Sequence, residues 1–362
     1  MSDVVIDGLP YPIVVSDAAP ARVVRLLQGA AAVAVVCDER VAPRARAIAR
    51  ELSGAGISVV GQLGMRGGER CKSLRTLERL WSWLLRRGVD RRTALVAIGG
   101  GTVTDVAGLA AATFMRGIPW LPVPTTVLGM ADAAIGGKTG IDLAEGKNLA
   151  GAFWPPAAVV ADLGALATLP RRQIMTGLAE IIKAAVIGDP RLLDVVNALQ
   201  PRRAKPPDWR EAIVAAAAVK VSIVARDPLE AGPREALNLG HTLGHAIEHA
   251  AGGRIPHGEA VAIGLRGEGL LALRAGLYST PEHARVLRAL KHCELPLSYG
   301  RLEGSAILRA LRGDKKRRDG VVRFALPERI GSVRTGVIIE DADLRAIIAQ
   351  CARPPGAEEL GE

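Results

Sequence analysis

The sequence is short of aromatic residues, histidine, lysine and paired cysteines, and each shortage narrows what the protein can do. Aromatic residues make up 3% of the chain, so there is little for nucleobases to stack on. The formal net charge of +10 therefore reads as suited to small phosphorylated ligands, and no nucleic-acid partner is expected. The four cysteines, Cys37, Cys71, Cys293 and Cys351, lie far apart and form no CxxC pair. That argues against a disulfide framework and against a thiolate zinc site. No apolar run approaches the roughly 18 residues that a membrane span needs. The opening MSDVVIDGLPYPIVV also lacks a basic region followed by an apolar one, so a cytoplasmic chain with no membrane partner is expected.

Lysine is the most informative shortage. Of 47 basic residues only nine are lysine. A compact, titratable ammonium differs from a guanidinium fork, so each surviving lysine invites a chemical reason. Lys138, Lys147, Lys183, Lys220 and the pair Lys315 and Lys316 stand out on this ground.

A chain of 362 residues, 49% of them hydrophobic, can bury the cores of two domains. Up to about position 170, apolar β-branched runs such as AAVAVVCD, ISVV, ALVAIGGG and AAVVAD alternate with helical patterns such as SLRTLERLWSWLLRRG. That rhythm predicts an α/β domain with a doubly wound parallel sheet over 1–170. After TLPRRQ the pattern is helical throughout, which predicts an all-α domain over 171–352. The tail RPPGAEELGE, 353–362, is expected to be disordered.

Three stretches carry chemistry. In ALVAIGGGTVTDVAG a buried strand runs into Gly99, Gly100 and Gly101. Thr102 or Thr104 is placed to cap the following helix, so that backbone amides converge on a seat for a pyrophosphate. Asp38, at the end of AAVAVVCD, is placed to accept a ribose hydroxyl, and Thr125 and Thr126 add hydroxyls at the end of another strand. The second stretch, 132–151, carries Asp132, Lys138, Lys147 and Asn148. It reads as a loop wrapping an oxyanion rather than a solvated hairpin.

The third stretch is NLGHTLGHAIEHAAGGRIPHGEA, which holds four of the six histidines. His241, His245 and His249 follow at one-turn spacing, so their imidazoles can share a helix face. The segment AAGGRIP can fold His257 back beside them. With Glu180, expected to head a helix in GLAEIIK, two of these imidazoles would form a ligand set for catalytic zinc with an open position. Spacing alone does not choose the two histidines, nor Glu180 over Glu248 or Glu259.

The order and wording of these motifs resemble the 3-dehydroquinate synthase family. The resemblance runs from about 65 to 325 through GGERCKS, GGGTVTDVAGLAAATFMRGIPW, VPTT, AAIGGKTGID, GKNLAGAFWPP, TLPRR, GLAEIIK, GPREALNLGHTLGHAIE, HGEAVAIG and GDKK. It implies a Rossmann-like N-terminal lobe and a helical C-terminal lobe with the active site in the cleft between them. It implies zinc, or cobalt in its place, on Glu180, His241 and His257. NAD contacts are implied at Asp38, Glu69, Lys72, Gly99, Gly100, Asp105, Thr125, Thr126, Lys147 and Thr168. By the same matching, His245, Lys183, Asp132 and Asn238 are catalytic, and Arg116, Lys138, Asn148, Lys220, Arg234 and Lys316 bind substrate. Either lysine of the 315–316 pair matches that last position. Arg116 falls where the family reaches the neighbouring subunit's site, which implies a homodimer. His249 is left as an exposed bystander. The chain departs from the family at Arg40, where Asx is common, at LGMADAA, and at Asp142.

The implied reaction turns a phosphorylated sugar acid, 3-deoxy-D-arabino-heptulosonate 7-phosphate, into 3-dehydroquinate and phosphate. It proceeds by transient oxidation with NAD, phosphate loss, re-reduction and aldol closure, and belongs to the shikimate pathway. Sister sugar phosphate cyclases, including aminodehydroquinate synthases and valiolone-forming enzymes, share the metal triad and the glycine turn. Lys183 and the pair Asn238 with His245 favour dehydroquinate synthase. A metal-dependent polyol dehydrogenase would leave the lysines without a partner. A non-catalytic nucleotide or nucleic-acid binder would explain the charge alone.

Overall fold

The computed structural model describes residues 3–144, 146–201, 203–315 and 321–362. The chain divides into two compact units, Met1–Pro170 with Ala204–Ala225, and Arg171–Arg203 with Arg226–Glu362. The strands of the first unit are β1 (Val4–Ile6), β2 (Ile13–Ser16), β3 (Ala32–Asp38), β4 (Val59–Met65), β5 (Thr93–Gly99), β6 (Trp120–Pro124), β7 (Lys138–Leu143), β8 (Gly146–Phe153) and β9 (Val159–Asp162). Its helices up to this point are α1 (Ala19–Leu26), α2 (Ala42–Gly54), α3 (Leu74–Arg86) and α4 (Gly101–Thr113).

A parallel sheet in the order β4-β3-β5-β6 forms the centre, and β1-β2-β9 form a second sheet. Successive side chains on a strand point to opposite faces, and the two cores follow that alternation. Val33, Val35, Cys37, Val96 and Ile98 pack with α1 and α2, whereas Ala34, Val36, Leu95 and Ala97 pack with α3 and α4. Both faces of the sheet are thus covered, as continuous apolar strands demand. Ser73 starts α3 by accepting from the Thr76 amide at 3.3 Å.

The segment expected to be a loop at 132–151 is instead largely an antiparallel hairpin, β7 with β8, in which Lys138 pairs with Phe153 and Gly140 with Gly151. The glycines explain it. A β-carbon at Gly140 would come within 3.1 Å of the Ala150 carbonyl oxygen, so glycine permits the close approach.

The second unit is helical apart from one hairpin. It contains α5 (Arg171–Ile187) and α6 (Leu192–Ala198), while α7 (Arg210–Arg226) belongs to the first unit as far as Ala225. Lys220 therefore lies with the α/β part, against the division at 170 drawn from the sequence. Next come α8 (His241–Ala250), α9 (His257–Arg274), α10 (Thr280–His292), α11 (Gly304–Lys315), β10 (Arg323–Arg329), β11 (Ser332–Ile338), α12 (Asp341–Cys351) and α13 (Ala357–Leu360). The hairpin of β10 and β11 departs from the all-helical expectation. Its core side, Phe324 to Leu326, is buried.

Helix α9 is buried from Ala260 to Ala272, as a helix apolar on nearly every side must be. The tail also differs from expectation, because it is anchored. Arg266 on α9, fully buried, holds Glu359 through Nε at 2.5 Å and Nη2 at 2.8 Å, and Leu360 is buried. No helix among the described residues is long and apolar enough to cross a membrane, and all four cysteines are buried free thiols.

Candidate active site

Glycines let three helices of the second unit approach closely enough to bring distant side chains together. A β-carbon at Gly264 on α9 would strike the Gly240 carbonyl just ahead of α8, lying 2.9 Å from its carbon. One at Gly258 would strike the backbone of Thr176 on α5, 2.6 Å from its carbonyl carbon. Gly240 itself has φ 75, a left-handed value that glycine adopts without penalty. Glu180 lies in the middle of α5 rather than at its head. His241 opens α8 and His257 opens α9.

Glu180 Oε1 lies 3.3 Å from Nε2 of His241 and 3.3 Å from Nε2 of His257. The opposite ring nitrogens face outward, His241 Nδ1 to the Leu239 carbonyl at 3.0 Å and His257 Nδ1 to Glu248 Oε2 at 3.4 Å. In the tautomer with each ring proton on Nδ1, both Nε2 atoms present lone pairs to a buried carboxylate. Lys183 reaches Oε2 of Glu180 from the other side, and Oε1 faces the two imidazoles. Such an arrangement calls for a cation.

Zinc bonds of about 2.0–2.1 Å in a tetrahedral array set neighbouring ligand atoms about 3.3 Å apart, so the residues fit that ion. A proton can take part of its place. Burial opposes charge on His257, yet hydrogen bonds and charge from Glu180 and Glu248 raise its pKa to about 9. Burial likewise works to raise that of Glu180, but the Lys183 ammonium and then His241 hold it well below the usual carboxylate range. Lys183 Nζ lies 2.6 Å from Glu180 Oε2, and both groups are buried.

The geometry sets the remaining carboxylates apart, whereas a ring nitrogen of His245 lies with those of His241 and His257 within 4.8 Å of one another, a group that could also hold a metal ion. Glu248 stands behind His257, and Glu259 is held by a two-pronged contact from Arg172 at 2.6 and 3.0 Å. The His245 ring is 5.1 Å from that of His241 and 5.6 Å from that of His257. It borders a cavity of about 210 Å³ with Asn238, His241 and Thr242. His249 is exposed. Arg234 is buried, its Nη1 donating to the Pro228 carbonyl at 2.6 Å. Lys316 lies outside the described residues, and Lys315 ends α11.

In the first unit β5 ends at Gly99, and α4 starts after Gly100 with no side chain capping it. Thr102 and Thr104 were expected to cap. Instead Thr102 accepts from the Gly68 amide at 3.3 Å, and Thr104 donates to the Gly101 carbonyl at 3.0 Å. A β-carbon at Gly100 would come 3.1 Å from Thr126, whose hydroxyl accepts from the Gly129 amide, and Thr125 is buried at the end of β6.

Beside this turn, buried Lys72 donates to Asp105 at 2.7 Å and to Asn148. Burial works against the charge of Lys72, but Asp105 outweighs it and holds its pKa above the ordinary value. Lys147 pairs with Glu69 at 3.1 Å. Lys220 Nζ grips Asp132 at both its carboxylate, 2.8 Å, and its carbonyl, 2.7 Å. Lys138 is exposed at the start of β7, and Thr168 is exposed and bonded to the Ala165 carbonyl. Arg116 is exposed with φ 65.

Asp38 is not open to a ribose. Arg40 covers its carboxylate with Nε at 3.0 Å and Nη2 at 2.6 Å, and the Arg40 amide adds a bond at 3.0 Å. Its signal in the sequence was the arginine two residues on, a position the loop can fold straight back.

Comparison with known proteins agrees with this architecture. Residues 62–176 match the family model described as 3-dehydroquinate synthase N-terminal, and residues 177–317 the one described as 3-dehydroquinate synthase C-terminal. A 3-dehydroquinate synthase of Thermobifida fusca is 42% identical over 94% of this chain and 90% of its own length. Among solved structures, ValA, a 2-epi-5-epi-valiolone synthase of Streptomyces hygroscopicus with NAD+ and Zn2+ bound, superposes with a TM-score of 0.85 at 28% identity. It covers 97% of this chain and 99% of its own. A 2-deoxy-scyllo-inosose synthase complexed with carbaglucose-6-phosphate, NAD+ and Co2+ gives 0.86 at 26%, covering 97% and 100%. With both family models matched in order and a relative this similar along most of its length, the chain belongs to the 3-dehydroquinate synthase family.

Proposed function

We propose that the protein is a 3-dehydroquinate synthase that converts 3-deoxy-D-arabino-heptulosonate 7-phosphate to 3-dehydroquinate and phosphate, with NAD and zinc as cofactors. The observation that carries the metal half of this reading is the meeting of Nε2 of His241 and Nε2 of His257 on Glu180 Oε1, each at 3.3 Å. The nucleotide half rests on the uncapped start of α4 beyond Gly99 and Gly100, where first-turn amides suit a pyrophosphate. When bound, zinc would polarise the substrate's hydroxyls, and the nicotinamide would take up one hydride and return it within the turnover.

The chain's own groups do the rest. Lys183 neutralises Glu180 on the side away from the histidines and offers its ammonium to a substrate oxygen. His245, exposed at the cavity edge beside Asn238, takes and returns protons. Asp132 is fixed by Lys220 and orients hydroxyls. Lys138, Asn148, Arg116, Arg234 and a lysine of the 315–316 pair meet the carboxylate and phosphate of a doubly anionic substrate. Glu69, Lys72, Asp105, Thr125, Thr126, Lys147, Thr168 and Asp38 line the NAD side, where Asp38 must first be released by Arg40. Homodimerisation through the region of Arg116 and a cytoplasmic location complete the proposal.

Phosphate release from the heptulosonate phosphate with a trace of NAD tests it. One phosphate per carbocycle over many turnovers, with no lasting NADH, is expected. NADH accumulating in step with product would show a polyol dehydrogenase instead. Turnover only with a different phosphorylated sugar would show a sister cyclase.

A further inference from the structure

Glu268 on α9 plays no part in the chemistry above, yet its carboxylate is built against the start of α8. It is fully buried, and no lysine or arginine pairs with it among the described residues. Its partners are backbone amides. Oε2 accepts from Gly240 at 2.5 Å, Oε1 from Leu243 at 3.0 Å, and the Thr242 amide also bonds to the carboxyl. These are the groups that an α-helix leaves unsatisfied at its N-terminus. Gly240, the residue at the cap position, has no side chain to serve them.

A cap supplied from within α8 would satisfy the amides and nothing more. A cap supplied from α9 also ties the two helices together, and the residue enclosed by the three amides is His241. Burial pushes the Glu268 carboxyl up to about 8 while the amides pull the other way. Its position gives it a use. The start of α8 can neither slide nor rotate against α9 without breaking two or three short hydrogen bonds.

We infer that Glu268 is a positioning residue for the metal centre, clamping α8 to α9 so that Nε2 of His241 and of His257 meet on Glu180 at the separation a tetrahedral ion requires. The inference rests on the metal reading above. Residues that orient metal ligands through others typically change metal affinity by about 10- to 100-fold when altered.

The test is zinc affinity by chelator competition, together with melting of the metal-free protein, for wild type, Glu268→Gln, Glu268→Asp and Glu268→Ala. Leu360→Ala, which loosens the buried tail anchor elsewhere in the unit, serves as a control for lowered stability. Glu268→Gln keeps the length and one accepting oxygen but turns an amino group towards a backbone N–H, so it should weaken zinc binding, though less than the alanine variant. Glu268→Ala, and Glu268→Asp, which withdraws the carboxylate by one methylene, should bind about 10- to 100-fold more weakly. Should the alanine variant fail to fold, Glu268→Asp compared with Leu360→Ala decides. Zinc affinity unchanged in folded Glu268→Asp, or equally reduced in Leu360→Ala, overturns the positioning role. A wild-type protein that binds no zinc overturns the metal reading itself.

Discussion

The seam between α8 and α9 offers the sharpest quantitative test of how the fold builds its metal centre, through the substitution Gly264→Ala. The added β-carbon would sit 2.9 Å from the Gly240 carbonyl carbon and 3.0 Å from the Gly244 amide nitrogen. It would approach the Gly240 carbonyl oxygen more than about 1 Å inside the roughly 3.3 Å at which carbon meets such an oxygen. Nothing flexible lies there to yield, because all three atoms are backbone. The helices must therefore part by about 1 Å, a separation that close-packed interiors resist.

His241 follows Gly240 on one side of the seam and His257 lies on the other, so their 3.3 Å distances to Glu180 cannot both survive. Metal sites tolerate ligand distances only within about 0.2 Å. Overpacking of this kind costs about 1–3 kcal/mol of stability, and zinc affinity should fall by at least about tenfold. Gly54→Ala, at a position where a β-carbon meets nothing within 4 Å, is the control. Zinc content after dialysis against a weak chelator and thermal melting by circular dichroism are the measurements. Wild-type zinc occupancy with an unchanged melting temperature in Gly264→Ala would refute the claim that the glycine seam sets the ligand geometry.

Four further outcomes are expected. His257→Ala should purify with little zinc while His249→Ala, exposed and outside the triad, keeps it; metal analysis distinguishes them. Arg234→Ala and Lys138→Ala should each lower kcat/KM by about 2–5 kcal/mol of transition-state stabilisation with unchanged far-ultraviolet spectra, and near-normal turnover in both would exclude a substrate with two anionic ends. Arg40→Ala should tighten NAD severalfold in equilibrium titration by freeing the Asp38 carboxylate, whereas weaker binding would show that Arg40 itself holds the nucleotide.

The fourth outcome concerns the tail. Burial works to raise the Glu359 pKa, but hydrogen bonds from His283 and Arg266 and the arginine's charge bring it down from 4.5 to about 2. A carboxyl lowered on folding stabilises the native state above its unfolded value and loses that contribution as pH falls through its folded value. The stability difference between wild type and Glu359→Gln, read from urea titrations, should therefore be full above pH 4.5 and shrink towards pH 2. A difference that does not vary with pH would contradict the ion pair.

What the sequence reveals and what it hides divide along a physical line. Alternating apolar strands and helices at regular intervals expose the α/β unit, because a buried strand and an amphipathic helix each write their own period into the chain. The histidine cluster of 241–257 is legible because imidazole is rare here, although spacing alone does not choose which two of its members face a carboxylate. The carboxylate they face could be any of three until the fold brings α5 against α9, since that choice depends on Gly258 meeting Thr176.

Glu268 gives no sign at all. Its partners are backbone amides, which every residue has, and they lie on the far side of a helix turn that the sequence cannot place. Arg40 is the opposite case. The residue is conspicuous, but the sequence cannot tell whether its guanidinium reaches into solvent or folds back two residues to cover Asp38. The hairpin at 138–153 misleads for a third reason, because glycines that suggest a loop are the residues that allow two strands to pass closely. In each case the missing information is a contact in space, with backbone amides for Glu268, with a side chain two residues away for Arg40, and between backbones for the hairpin. Composition and spacing describe side chains, so they find the groups that do chemistry sooner than the groups that hold those in place.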